Sequence, residues 1–180
     1  MRKNQLVLNA EEIRKWLDLQ PNLQEGGFLA SVYGSPIRVP DSVLAGFPTT
    51  ENGRSICGAI YYFLDSSGCS VLHRVTGDMI YHFYAGDPVQ MLLLFPENNP
   101  NRSQVCFFGN NIALGQSPIK TIPGGTWLGS RLMPGGCWAL MGVTMAPGFD
   151  PVDYTIGVRK ELIARYPEQG PLITALTRNS

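Results

Sequence analysis

Turn-forming residues recur throughout the sequence and separate short apolar runs. The chain has 20 glycines and 14 prolines, spread along its 180 residues. Because these residues interrupt regular structure, long helices and strands are disfavoured over most of the chain. The pattern predicts short strands at residues 28–33, 55–64, 70–75, 79–85, 89–95, 105–109, 119–122, 127–132 and 137–144. Short strands with regularly spaced turns between them are typical of a β-sandwich or barrel.

Helical patterns flank this β-rich region. A helix is predicted over residues 9–19, where Asn9 and Glu12 have the spacing of a capping box. A second helix is predicted over residues 158–166, in which apolar side chains form one stripe. A short helix over residues 171–177 follows it. The helices therefore lie at the two ends of the chain and the strands lie between them.

Charge and hydropathy argue against several classes of function. Lysine plus arginine and aspartate plus glutamate number 14 each, a balance that disfavours binding to nucleic acid or to an anionic membrane. The longest apolar run, residues 91–95, is too short to span a bilayer. The four cysteines lack a C-x-x-C pair, which favours buried thiols over zinc ligands or disulfides. No apolar signal segment follows Met1, so we expect a cytoplasmic protein. We expect its partner to be a small molecule.

Two turn regions carry a characteristic spacing of residues. In the first, His73-Arg74-Val75 is followed after three residues by Met79 and after six more by Gly86. In the second, Pro123-Gly124-Gly125-Thr126-Trp127 is followed by Leu128. In a double-sheet jelly roll, two such β-turn units each donate side chains to one pocket inside the barrel. Both spacings resemble the motifs of the cupin superfamily.

Further matches make the resemblance more specific. From about Glu25 to Arg178 the chain resembles the Cupin_5 family, a group of small cupins of largely unknown function. The matching segments are 25–28, 54–55, 59–62, 73–75 with Asp78, 81–88, 123–127 and 145–150. The resemblance implies an all-β, cupin-type double-stranded β-helix or jelly roll. It would form a single domain over residues 1–180, with one helix before the barrel and helices after it.

The resemblance also bears on metal binding. At the positions where cupins usually hold a metal, this sequence has His73, Val75, Met79 and Leu128. Valine and leucine donate nothing, and the methionine thioether is a poor ligand for iron, manganese or nickel. A catalytic metal usually needs three protein ligands of the His, Asp, Glu or Cys type. We therefore expect neither a metal nor another cofactor.

His73 is the candidate for acid–base chemistry. Strand alternation places it on one face with Val71 and Val75, a face that should point inward. It is either a core imidazole hydrogen-bonded to a neighbour, or a general base or acid in an apolar pocket. Tyr81 and Tyr62 are its candidate partners by analogy with the dTDP-sugar epimerases, metal-free jelly rolls that pair a His base with a Tyr acid. Either tyrosine can equally belong to an aromatic core.

The remaining candidate residues are predicted to bind the ligand. Arg54 either anchors a ligand carboxylate or phosphate, or pairs with a carboxylate such as Glu25 or Asp78. Glu25 precedes the pair Gly26-Gly27, whose backbone freedom would put it at the pocket rim. The apolar wall of the pocket is expected to consist of Met79, Phe83, Trp127, Leu128 and Met141.

Two classes of function are compatible with these residues. The first is a metal-independent enzyme that binds a small, fairly apolar metabolite and transfers protons on it, by isomerisation, epimerisation, cyclisation or elimination. The second is a ligand-binding or structural cupin that has lost its polar active-site residues. We also expect a homodimer, because the β-rich segment after Pro21 would leave an unpaired strand edge in a monomer.

Overall fold

The computed structural model describes residues 9–178, and its helices lie near the two ends of the chain as predicted. The helices are α1 (Ala10–Trp16), α2 (Arg159–Arg165) and α3 (Gly170–Ala175). The capping box of α1 is formed: the Glu12 backbone N–H donates to the Asn9 side chain at 2.9 Å, and the Asn9 N–H donates to the Glu12 carboxylate at 3.3 Å. The helix ends before Asp18, whose left-handed φ of 50° is incompatible with continued helix.

Antiparallel strands account for most of the regular structure. Within residues 9–178 the strands are β1 (Gln20–Pro21), β2 (Phe28–Gly34), β3 (Arg38–Val39), β4 (Arg54–Ser55), β5 (Gly58–Asp65), β6 (Ser70–Arg74), β7 (Asp78–Gly86), β8 (Val89–Leu94), β9 (Ser103–Phe108), β10 (Ile119–Ile122), β11 (Trp127–Leu132), β12 (Trp138–Ala146) and β13 (Thr155–Ile156). One sheet has the order β1-β2-β5-β12-β7-β10, and the other has the order β13-β6-β11-β8-β9. Strands β3 and β4 form a separate ribbon. The predicted all-β architecture with flanking helices is confirmed.

The structure departs from the predicted strands at short elements. The strand predicted over residues 55–64 is interrupted after Ser55, whose hydroxyl donates to the carbonyls of Ser35 at 2.9 Å and Cys57 at 2.8 Å. The sequence does not predict strands β1, β3 and β13, because two residues are too few to display an alternating pattern. They matter nonetheless, since β13 carries the chain back to the sheet that holds β6.

The interior lies between the two larger sheets and follows strand alternation. In β7, the side chains of Met79, Tyr81 and Phe83 are buried, while the intervening side chains of Ile80 and His82 are only half-buried on the opposite face. Strand β12 pairs with β7 and β5, so its inward residues continue the same rows across the sheet. Period-two alternation therefore determines which side chains of this sheet can reach the barrel interior.

The helices cover the outer faces of the sheets. Ile13 in α1 packs with Leu19 and Phe63 on the six-stranded sheet. On the other sheet, α2 and α3 cover an outer cluster made of Leu72, Leu92, Leu94, Trp127, Leu162, Tyr166, Ile173 and Leu176. None of the helices within residues 9–178 is both long enough and apolar enough to cross a membrane.

One end of the barrel interior is filled and the other is open. The rings of Phe83 and Phe108 meet edge-to-face at 5.6 Å, and Met141 pairs in register beside Phe83. All three residues belong to the main apolar cluster. Further along the same strands, Met145 pairs with Gly58 on one side and Met79 on the other. Gly58 has no side chain, so the inward position beside Met145 is left unfilled and space remains inside the barrel.

Candidate functional site

That space is a cavity of about 420 Å³, within the size range of sites for small organic ligands. Its polar side chains include Glu25, Tyr62, His73, Tyr81 and Tyr154. Its apolar wall includes Leu29, Ile60, Val75, Met79, Val143 and Met145. The cavity therefore combines several polar groups with a larger apolar surface.

Part of the predicted site is assembled in this cavity. Glu25, Tyr62, His73, Met79 and Tyr81 lie in its wall. These residues come from the loop before β2 and from β5, β6 and β7, so the fold joins positions far apart in sequence. The sequence predicts Glu25 nearer the rim, whereas its carboxylate reaches inward to His73.

Three predicted wall residues point into the barrel but do not border the cavity. Phe83 and Met141 lie in the filled end of the barrel. Leu128 is opposite His73 in the pairing of β11 with β6, and its side chain is fully buried in the apolar cluster. The prediction that they line the ligand pocket is therefore wrong, because alternation identifies inward residues without saying which level of the barrel is empty.

Trp127 points away from the interior. Consecutive residues of a strand face opposite sides of the sheet, so the inward position of Leu128 directs Trp127 outward. Its ring packs in the cluster under α2 and α3, and the Arg74 guanidinium lies 4.7 Å from its centroid. The prediction of Trp127 as a pocket residue is wrong for this reason.

Arg54 is a buried structural cation and does not border the cavity. Its Nη1 lies 2.6 Å from the Asp153 carboxylate, and its Nη2 donates to the Pro48 carbonyl at 2.6 Å. The guanidinium also lies 5.2 Å from the centre of the Phe47 ring. The predicted contact of Arg54 with a ligand is therefore wrong, and its partner is neither Glu25 nor Asp78. Instead, Arg54 anchors the turn that leads into Tyr154.

The imidazole of His73 is held in one orientation. Its Nδ1 lies 2.8 Å from the Val71 carbonyl, which can only accept, so Nδ1 carries a proton. The ring stacks on Tyr154 with a centroid distance of 5.4 Å and an angle of 14°. Its other nitrogen, Nε2, lies 3.6 Å from Glu25 Oε1. Nε2 is therefore the atom that can gain or lose a proton.

Glu25 is positioned by the loop that carries it. The Ser70 hydroxyl donates to Glu25 Oε1 at 2.8 Å, and the Asn22 side-chain amide donates to Oε2 at 3.3 Å. The next residue, Gly26, has φ +95°, and a Cβ there would stand 2.2 Å from the Cys69 carbonyl oxygen. Only glycine fits this backbone without displacement. The loop thus holds a carboxylate against the free nitrogen of His73.

Three phenols face this pair from different elements. The Tyr62 hydroxyl donates to the Gly26 carbonyl at 2.8 Å, while the Tyr154 hydroxyl oxygen is buried and has no hydrogen-bond partner within residues 9–178. Burial, followed by the negative charge of Glu25, raises the pKa of Tyr62 and Tyr81 well above the usual phenol value. The same two causes raise the pKa of Tyr154. All three phenols therefore remain protonated hydrogen-bond donors near neutral pH.

The donor set does not fit a transition metal. Among residues 9–178, no three His, Cys, Asp or Glu side chains come together as they would around a metal ion. In the cavity wall His73 and Glu25 form a pair of such donors, and the neighbouring motif positions are Val75 and Met79. Two donors fall short of the three that catalytic metal sites usually have.

Sequence reasoning missed other cavity residues, of which Tyr154 is the most informative. It lies in the turn between β12 and β13 and reaches His73 through tertiary structure alone. Tyr33 and Phe149 border the cavity and are half exposed. The only sequence signal near Tyr154 is the family-like segment 145–150, which ends just before it. The described cavity wall contains no lysine or arginine, so neither side chain is there to pair with an anionic ligand.

Comparison with known proteins agrees with the architecture. A crystal structure of a protein from Shewanella oneidensis has a TM-score of 0.80 and 28% identity, covering 96% of this chain and 99% of that one. A hypothetical protein from Leishmania major has a TM-score of 0.83 and 24% identity, covering 96% and 100%. A cupin 2 conserved barrel domain protein from Rhodopseudomonas palustris has a TM-score of 0.55 and 15% identity, covering 86% and 81%. The last two likenesses show the fold alone.

The sequence itself identifies the family. A comparison with curated proteins finds no match. The family model Cupin_5, described as Cupin superfamily (DUF985), matches residues 11–157, which is most of the chain. The predicted resemblance is confirmed, and the chain belongs to the Cupin_5 family of the cupin superfamily.

Proposed function

We propose that this cupin is a metal-independent enzyme that transfers a proton on a small, uncharged and largely apolar organic molecule. The observation that carries the proposal is the pair formed by the buried His73 and the largely buried Glu25 in the cavity wall, with Nε2 and Oε1 3.6 Å apart. A group that abstracts a proton must be held in place near the ligand, and both members of this pair are held by hydrogen bonds.

In this proposal His73 Nε2 takes the proton from the ligand. The imidazolium formed is then stabilised by the Glu25 carboxylate, and the Val71 carbonyl keeps the ring from turning. Tyr81, which remains protonated, donates a hydrogen bond to the ligand from the six-stranded sheet. Return of the proton to a different position or face of the ligand completes an isomerisation or epimerisation.

The charge and polarity of the cavity support an uncharged, apolar ligand. Glu25 is the charged carboxylate in a wall without lysine or arginine, so a ligand phosphate or carboxylate would be repelled. A bare sugar has hydroxyls on every side, each of which needs a polar partner, whereas most of this wall is apolar. Met79 in the motif strand contributes to that apolar surface.

A non-catalytic ligand-binding cupin is the second candidate. It is favoured by Met79 and Leu128, which occupy motif positions where the family resemblance leads us to expect polar side chains. The two candidates differ in whether a bound molecule exchanges hydrogen with solvent.

Hydrogen exchange in heavy water separates the candidates and does not require an identified substrate. The protein is incubated in D₂O with a small-molecule extract of the organism that encodes it, and mass spectrometry identifies metabolites that gain deuterium. The proposal expects at least one metabolite to gain deuterium with the wild-type protein and not with His73→Gln. A metabolite that binds in native mass spectrometry but gains no deuterium supports the non-catalytic candidate.

We also propose that the protein is a cytoplasmic homodimer. Strand β2 pairs with β1 only through Leu29 and Phe28, and beyond them Val32 and Tyr33 are about half exposed. A second copy would cover this edge. All four cysteines are free, which supports a reducing compartment. Light scattering should give twice the chain mass of 19.8 kDa, and a single-chain mass at micromolar concentration would contradict the dimer.

A further inference from the structure

One row of inward positions in the six-stranded sheet carries little side chain. The register places Gly34 of β2 beside Gly58 of β5, followed by Met145 of β12 and Met79 of β7. We call these four residues the open row, and all four border the cavity. Met141, in the filled end of the barrel, is four residues from Met145 along β12, which corresponds to roughly 13 Å. The open row therefore lies at the unfilled level of the interior.

The fold does not require glycine at either position of the open row. A Cβ on Gly34 would meet no atom within 4 Å, and a Cβ on Gly58 would meet the Tyr33 carbonyl oxygen at 3.6 Å, an ordinary contact. Neither glycine has a left-handed backbone, whereas Gly86 at the end of β7 has φ +101° and its Cβ would stand 2.3 Å from the Trp138 carbonyl oxygen. Glycine weakens a paired strand, and it often marks a place where a ligand approaches the backbone.

The missing side chains expose a flat area of backbone. Gly34 and Gly58 are paired neighbours, so their Cα atoms are about 5 Å apart. The Cα of Gly148 would lie 4.0 Å from a Cβ on Gly58, and Gly148 also borders the cavity. Three adjacent residues of the wall thus have no side chain, and a flat group of a ligand can lie against them.

The side chains around this flat area suit an aromatic ring. Met79 and Met145 are paired in register, and both are buried in the main apolar cluster. The methionine thioether is flexible and polarisable, and it makes favourable contacts with aromatic rings. Tyr33 and Phe149 add two half-exposed aromatic side chains to the same cavity wall. Aromatic rings attract one another beyond the effect of buried area alone, so these surroundings favour a ring over a saturated group.

We propose that Gly34 and Gly58 determine the specificity of the cavity, because the space that they leave holds a flat aromatic ring of an uncharged ligand. This inference rests on the proposed function, in which another part of the same ligand reaches His73. A cavity of about 420 Å³ has room for a bicyclic ring together with the group that loses the proton. The substrate class is therefore an uncharged aromatic molecule.

Two uncharged probes test the shape of the site without requiring turnover. The first is 2-naphthylmethanol, in which a methylene group separates a hydroxyl from a flat aromatic bicycle. The second is decahydro-2-naphthylmethanol, which has the same carbon skeleton and hydroxyl but no flat ring. Calorimetry gives the affinity of each probe, and thermal unfolding without a probe shows whether each variant is folded.

The wild-type protein should bind the aromatic probe about tenfold or more tightly than the saturated probe. Gly34→Val and Gly58→Val should each weaken binding of the aromatic probe by about tenfold or more, because their side chains occupy the space of the ring. Gly58→Ala adds one methyl group at ordinary contact distance, so it should fold like the wild type and have an intermediate affinity. Gly68→Val is the control and should bind like the wild type. No atom lies within 4 Å of its added Cβ, and Gly68 does not border the cavity.

Four results would overturn the inference. They are equal affinity for the two probes, wild-type affinity in the folded glycine variants of the open row, an equal loss of affinity in Gly68→Val, or no binding of the aromatic probe up to its solubility limit. The exchange experiment fails independently of this one. The expected probe affinities without deuterium exchange would remove the catalytic proposal and leave the ring site, whereas exchange without those affinities would remove the ring site alone.

Discussion

Tyr154 links the stability of the fold to the site through a single hydroxyl. Its ring stacks on His73, yet its buried oxygen has no partner in the described chain. Burying a hydroxyl without a hydrogen bond is unfavourable by about 1–3 kcal/mol, whereas the ring itself packs well. The residue therefore carries a polar atom that the fold alone does not need.

Removing that hydroxyl should stabilise the free protein. We expect Tyr154→Phe to raise the free energy of unfolding by about 1 kcal/mol, because phenylalanine keeps the ring contact with His73 and removes the unpaired oxygen. Urea unfolding followed by circular dichroism measures the change. Tyr62→Phe is the matched comparison and should destabilise, since its hydroxyl donates to the Gly26 carbonyl. A clear loss of stability in Tyr154→Phe would show that its oxygen is already satisfied.

The loop between β1 and β2 is the element that brings the carboxylate to the imidazole. The Glu25 backbone carbonyl accepts from the Val71 N–H at 2.8 Å, which ties the loop to β6 beside His73. Gly26 makes this approach possible, because a side chain there would meet the Cys69 carbonyl at 2.2 Å. The distance between Glu25 and His73 thus depends on a glycine that does not itself border the cavity.

Gly26→Ala should therefore weaken both fold and function. A non-glycine residue at φ +95° loses about 1–3 kcal/mol, and the clash with Cys69 should move the Glu25 carboxylate away from Nε2. Gly68→Ala is the control, since nothing lies within 4 Å of its added Cβ, and it should change stability by less than about 0.5 kcal/mol. Thermal unfolding and deuterium exchange measure the two effects. Equal behaviour of the two variants would contradict this role of the loop.

The elements differ in how far the sequence predicts them. Alternation correctly predicts that Met79 and Tyr81 face inward, because a half-buried strand displays its period of two in the sequence. The contacts of Glu25 and Tyr154 come from loops, where no period exists and only tertiary structure decides the neighbours. Arg54 illustrates the same limit: its burial follows a long-range pairing with Asp153 that no local pattern contains.

At the scale of the whole molecule, the buried phenols should make the free energy of unfolding fall at alkaline pH. Below about pH 10 the folded and unfolded chains both hold these phenol protons. Above it, the unfolded chain releases them, while Tyr62, Tyr81 and Tyr154 keep theirs because burial has raised their pKa. The unfolded state then binds fewer protons, so stability falls as the pH rises.

Urea unfolding across roughly pH 8 to 11 tests this dependence. Each phenol that remains protonated contributes a slope of up to about 1.4 kcal/mol per pH unit above its ordinary pKa. Tyr81→Phe should make the slope shallower by about one proton, and Tyr84→Phe, at a half-exposed position, should leave it unchanged. A slope that is the same in wild type and Tyr81→Phe would contradict the burial of an un-ionised phenol at this site.

The two histidines of the chain provide the most direct test of the proposed chemistry. His73 lies in the cavity beside Glu25, whereas His82 lies on the opposite face of β7 from the inward residues. The measurement is the rate of deuterium incorporation into the metabolite identified in D₂O, compared among wild type, His73→Gln and His82→Gln. We predict that His73→Gln lowers the rate by about a hundredfold or more in a folded protein, and that His82→Gln keeps the wild-type rate. Wild-type exchange by a folded His73→Gln protein would contradict the assignment of this cavity as a proton-transfer site.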